Sequence, residues 1–308
     1  MKTKQIHRIS FISLLLVLLL ACCACGGGGQ DAQKDNASSG SHKERGPVLI
    51  AKAEGKKIIK NDAAEIDVSN ISQGYVCVKY LGNNKKVKMQ MTKDGETYTY
   101  NLLKRGSYEI FPFFDGSGDY TIAIFENAGG SQYMQACSEK VNVKLEDENL
   151  PFLYPNEYVK YTADDPIVAL SDEVTAKSGD DLKKVEDVFN YVTKTIDYDY
   201  DLAESVATDY LPDIDQVLEK KKGICFDYAS VMSSMLRIQS IPTKLVIGYA
   251  GDVYHAWISV YTEDEGWVDN IIQFDGKNWT MMDPTTAASS GEMDDITNDS
   301  RYNALYFY

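Results

Sequence analysis

Between Cys225 and Pro242 the apolar residues Phe226, Ala229, Met232, Met235 and Leu236 recur at spacings of three and four. That period predicts a helix opening at or near Cys225, with an inward apolar stripe, stopped by Pro242. The polar run Lys220-Lys221-Lys222-Gly223 separates it from a short helix over 213–220. A second periodic stretch, 180–196, places Leu182, Val185, Val188, Phe189, Val192 and Ile196 on one face, with Ser178 or Asp180 as its cap. Asp197, Asp199 and Asp201 then alternate, but lack the glycine and closing glutamate of a calcium loop and read as a solvated turn. After Pro242 the pattern shortens to strands at 244–249, 254–262 and 267–272. Asp275-Gly276-Lys277-Asn278 then turns into 279–282, and the aromatic tail to Tyr308 reads as a packed terminal strand. Residues 146–179, interrupted by Pro151, Pro155 and Pro166, read as a connector.

Upstream, 48–145 has a different character. Short Val, Ile, Tyr, Phe and Thr runs at 74–80, 87–91, 97–102, 108–114 and 120–125 are punctuated by Gly82-Asn83, Asp94-Gly95, Asp115-Gly116 and Gly129-Gly130. This spacing predicts an all-β sandwich, immunoglobulin-like in character, of about 100 residues. It contains no Trp, so the Cys-Trp-Cys pattern is missing, and whether Cys77 and Cys137 pair stays open. The aromatic residues read as core and cross-strand pairs.

The first 25 residues form a leader. Lys2, Lys4 and Arg8 precede an apolar run from Phe11 to Leu20, too short for a full span. Leu19-Leu20-Ala21-Cys22 resembles a bacterial lipoprotein signal, which implies lipidation of Cys22, with Cys25 after Ala24 as the alternative. Residues 26–46 are Gly, Ser, Asn and charged residues that cannot bury enough surface to order themselves, and read as a flexible tether. The expected organisation is therefore leader 1–25, tether 26–46, β-sandwich 47–146 and a second domain 147–308, held at the outer face of the membrane through an N-terminal lipid.

The net charge of −15 argues against nucleic acid and against docking on an anionic membrane through a basic patch. Of three histidines only His255 lies outside the leader and tether, and no Cys-x-x-Cys occurs in the folded part, so neither a metal nor another cofactor is expected. What remains is thiol chemistry. A cysteine at a helix start gains thiolate character from the unpaired N–H groups there. Cys225, His255 and Asp283 follow in order, 30 and 28 residues apart. A nucleophile, a base to take its proton and a carboxylate to orient that base are the three parts of a cysteine triad.

The stretches Gly223-Ile224-Cys225-Phe226-Asp227-Tyr228-Ala229, His255-Ala256-Trp257 and Asp283-Pro284-Thr285 resemble the transglutaminase-like superfamily, as does Tyr198-Asp199-Tyr200 ahead of them. The resemblance spans about 180–285. It implies an α+β, papain-like core in which Cys225 is the nucleophile, His255 the general base and Asp283 the orienting acid. The interval between His255 and Asp283 is longer than in many bacterial members, so Asp269 and Asp275 stand as alternatives for the third position. Tyr198, Tyr200 and Tyr254 are the oxyanion candidates beside the backbone N–H of Cys225. The expected activity is thiol acyl transfer or hydrolysis at peptide or protein amides, cell-wall peptide among them. A binding scaffold without turnover, and an adhesin using Tyr-rich surfaces, are the competing readings.

Overall fold

The computed structural model describes residues 45–207, 209–269 and 302–308, together with the strands 272–274 and 279–281. In the first half, β1 (Ile58–Lys60), β2 (Ala64–Asp67), β3 (Tyr75–Tyr80) and β6 (Glu109–Pro112) form one antiparallel sheet in the order β1-β2-β3-β6. The second sheet takes β4 (Val87–Lys93), β5 (Glu96–Leu102), β7 (Gly118–Gly129) and β8 (Gln132–Val143) in the order β5-β4-β7-β8. Alternation sets the inner face: Val87, Met89 and Met91 of β4 are buried, while Lys88 and Gln90 between them are half-buried. The two inner faces meet through aromatic rings such as Tyr100 against Phe111, with centroids 4.8 Å apart. Strands β3 and β6 on one side and β5, β4, β7 and β8 on the other follow the strand order of immunoglobulin-like sandwiches. Asp94-Gly95 makes the two-residue turn its sequence predicts, joining Lys93 to Glu96. Cys77 and Cys137 are buried, one in each sheet, and both are free thiols.

Among the described residues, the second half holds five helices: α1 (Pro166–Thr175), α2 (Asp181–Thr195), α3 (Tyr200–Ser205), α4 (Ile214–Lys220) and α5 (Cys225–Ile238). They accompany an antiparallel sheet of order β13-β12-β11-β16, made of β11 (Thr243–Ala250), β12 (Val253–Thr262), β13 (Gly266–Val268) and β16 (Tyr302–Phe307). A short hairpin pairs β14 (Ile272–Phe274) with β15 (Trp279–Met281). A two-residue parallel pair joins β9 (Asp197–Tyr198) to β10 (Lys222–Gly223).

Three expectations are corrected here. The connector contains α1, because Pro166 sits in the first helical turn, where its missing N–H costs nothing and its fixed φ favours entry. The acidic turn at 197–201 is β9 followed by α3, with Asp199 capping that helix through a hydrogen bond from the Leu202 N–H at 3.0 Å. Helix α5 is not amphipathic in its surroundings: every residue from Asp227 to Ile238 is buried, because α1, α2, β11 and β12 all pack around it.

The buried apolar residues of both halves belong to a single core cluster. Tyr98 of β5 stacks on Phe114 at 3.6 Å and meets Tyr306 of β16 edge-on at 5.0 Å. The described residues all fall in one compact unit. Among the described residues, no helix is long and apolar enough to cross a membrane.

Candidate active site

Cys225 is the first residue of α5. The helix-start residue Ile224 has no side-chain acceptor, so the exposed N–H end is closed from inside: Asp227 Oδ2 accepts the Ile224 N–H at 2.8 Å. Asp227 Oδ1 accepts from the Tyr210 hydroxyl at 2.7 Å, which ties the segment before α4 to the same turn. Gly223 is required by this folding back, since a Cβ there would fall 2.7 Å from the Asp227 Cβ. The parallel pairing of Gly223 with Tyr198 then sets the tyrosine beside the cysteine.

Tyr198 hydrogen-bonds to both the backbone N–H and the sulfur of Cys225, and burial pushes its hydroxyl up to about 12. Burial likewise pushes the Cys225 thiol up. The N–H groups of Ala256 and Phe226 and the Tyr198 hydroxyl favour the thiolate, and the Asp227 carboxylate opposes it. The helix start thus acts in the expected direction, but desolvation outweighs it and the thiol is not acidified. His255 lies on β12 opposite Gly248 of β11. It is 6% exposed, and burial alone lowers its imidazole to about 4. Its Nε2 is buried without a hydrogen-bond partner among the described residues. At neutral pH the resting pair is a thiol and a neutral imidazole.

Cys225 and His255 open on the same cavity, of about 590 Å³. Tyr198 and Tyr254 line it too, whereas Tyr200 does not: it is 59% exposed and packs on the ring of Tyr198 at 4.9 Å. Tyr200 is therefore set aside as an oxyanion donor. Asp269 is exposed, lies beside Lys244 and is not part of the cavity wall. Asp275 and Asp283, like Cys22 and Cys25, lie outside the described residues. Sequence reasoning missed Tyr210, the Ala256 N–H and the contribution of the sandwich, whose Thr99, Asn101, Leu103 and Phe111 form part of the wall. Only Asp227 carried a readable signal, an acid three residues into a helix whose start has no polar cap. Among the described residues, no cluster of His, Cys, Asp and Glu is arranged to hold a metal ion.

The fold and cavity define an α+β protein with a helix-borne cysteine and a strand-borne histidine in one cleft. Residues 168–270, about a third of the chain, match the family model of the transglutaminase-like superfamily. No curated protein matches the chain. Among solved structures, a candidate cysteine protease from Cytophaga hutchinsonii is 12% identical over 82% of this chain and 73% of its own, with TM-score 0.38. The periplasmic domain of TgpA from Pseudomonas aeruginosa is 12% identical over 78% of this chain and 99% of its own, with TM-score 0.33. Red sea bream transglutaminase is 14% identical over 68% and 48%, with TM-score 0.27. These overlaps are too loose to transfer an activity.

Proposed function

We propose that this protein is a cysteine-dependent acyltransferase or amidohydrolase acting on peptide or protein amides, with Cys225 as nucleophile, His255 as base and Asp283 as the orienting acid. The observation that carries the reading is the shared cavity of Cys225 and His255. Because the resting pair is neutral, His255 takes the thiol proton as the sulfur attacks the amide carbonyl. The oxyanion forms beside the Cys225 N–H and the Tyr198 hydroxyl. The imidazolium returns the proton to the departing amine, leaving a thioester. Water or a second amine then attacks the thioester and gives its proton to His255, and the sulfur that leaves takes that proton back from the imidazolium, restoring the neutral pair. His255 Nε2, which has no hydrogen-bond partner among the described residues, is the position this reading gives to the Asp283 carboxylate.

In this reading 47–146 is a sandwich supporting the catalytic region 147–308, and residues 1–46 are leader and tether, with Cys22 or Cys25 acylated on the extracytoplasmic face, within reach of cell-wall peptide. The mass of the mature N-terminal peptide decides between the two cysteines, and an unmodified N-terminus removes the anchor. For the chemistry, Cys225→Ala is expected to abolish amine release from peptide amides, at least 10³-fold, with thermal unfolding nearly unchanged. Asp283→Asn, by leaving the imidazole unoriented, is expected to lower the rate by about 10²-fold or more. Amine release that survives Cys225→Ala removes Cys225 as the nucleophile, whereas no amine release from the unaltered chain leaves a binding scaffold as the function.

A further inference from the structure

The cavity continues well beyond the reacting groups, and its surroundings are unusual for an exposed surface. Leu103, Val206, Val253 and Tyr254 all line it, yet remain 45%, 37%, 65% and 58% exposed. Large apolar side chains left in water around one opening mark a place where something apolar docks. Part of the wall comes from the sandwich: Thr99 and Asn101 are the outward residues of β5, and Leu103 follows them. Inside, charge is neutralised, since Glu157 is paired with Lys104 at 2.7 Å and also accepts the Ile110 N–H. The other acid on the wall, Asp209, is exposed at the rim. A space of about 590 Å³ is far larger than one amide side chain and suits a short stretch of peptide.

We propose that this cavity is a specificity subsite for an acyl donor carrying an aromatic or bulky aliphatic residue next to the reacting amide, with the outer face of β5 as part of its wall. The inference deepens the functional reading above and rests on it for the identity of the reacting group. The occupant is a peptide because the apolar opening is continuous with the sulfur and imidazole, and because Thr99 and Asn101 offer side-chain hydrogen-bonding groups for an extended backbone. Apolar recognition follows from burial of the donor's side chain against Leu103 and Val253, at a site where, among the described lining residues, the inner carboxylate Glu157 is paired with Lys104.

The test uses the full chain carrying Cys225→Ala and a set of N-acetyl tripeptide amides that differ only in the central residue: Phe, Leu, Ser, Asp or Lys. Calorimetric titration is expected to show Phe and Leu binding at least tenfold tighter than Ser. The serine comparison separates apolar recognition from repulsion of Asp by the net charge of −15. Leu103→Asp, a change at an exposed position, is expected to erase that tenfold preference. Equal binding of Phe and Ser, or a preference that survives both Leu103→Asp and Val253→Asp, overturns the subsite. With Cys225 restored, kcat/KM for the same amides is expected to keep the same order. Binding preference without turnover sinks the enzymatic reading and leaves the subsite standing, whereas turnover without preference does the reverse.

Discussion

At the scale of single residues, reactivity at Cys225 is a contest between access and acidity. Cys77 and Cys137 are sealed in the sandwich, and burial raises the Cys77 thiol to about 12. Cys225 is also shifted upward by burial, but it lines an open cavity. Iodoacetamide is therefore expected to modify Cys225 well ahead of the other two. The thiolate fraction grows with pH, and a raised pKa moves its midpoint upward, so the labelling rate should climb through a midpoint above the ordinary thiol value of about 8.5. A plateau reached below pH 7 would mean a preformed thiolate–imidazolium pair and would overturn the neutral resting state. His255, at about 4, stays uncharged through that whole range. Its replacement by Ala should slow labelling at neutral pH by removing the base. The position of Cys225 at a helix start was legible from periodicity alone. Its desolvation was not, because burial depends on Tyr198 and Ala256, which approach from elements remote in sequence.

At the scale of elements, the strand that carries His255 is held in place by a tight three-strand contact. The register between β11 and β16 shifts between Ile247 and Gly248, directly opposite His255. A methyl group on Gly248 would fall 2.1 Å from the Asn303 carbonyl oxygen and 2.9 Å from both the Ala304 Cα and the Trp257 ring. Two of these neighbours are backbone atoms, so β16 must move. Gly248→Ala is expected to cost about 1–3 kcal/mol of stability and to lower amide turnover by forcing β16 away from β11, the strand paired with His255. A urea titration checks the first part, and a midpoint shift worth less than about 0.5 kcal/mol would mean that the sheet yields freely. Elements with a full period, α2, α5, β11 and β12, could be read from the chain. The pair β9–β10 could not, because two residues show no period and their pairing is long-range; yet it is what brings Tyr198 to the cysteine. The β1–β2 hairpin was missed for a similar reason, with strands of three and four residues.

At the scale of the molecule, composition changes sharply near residue 146, but the packing across that point is continuous. Tyr98 of the sandwich stacks on Phe114 and touches Tyr306 and Tyr308 at the other end of the chain. Its hydroxyl accepts the Phe307 N–H at 3.1 Å. Arg237, in the last turn of α5, is 1% exposed and donates to the carbonyls of Tyr154, Thr243 and Tyr308, joining the segment after the sandwich to the central helix and the last strand. Burial lowers its guanidinium to about 10, which leaves it charged at neutral pH. If the two halves share core and hydrogen bonds in this way, neither keeps its own stability once the other opens. Calorimetry is expected to show one unfolding transition with equal calorimetric and van't Hoff enthalpies. Tyr98→Ala should remove about 3 kcal/mol and lower that single Tm by roughly 6–12 °C, moving the sandwich and the catalytic half together. Two resolved transitions, with only the first displaced by Tyr98→Ala, would show that the halves fold independently and that the cavity between them is a contact of separate modules.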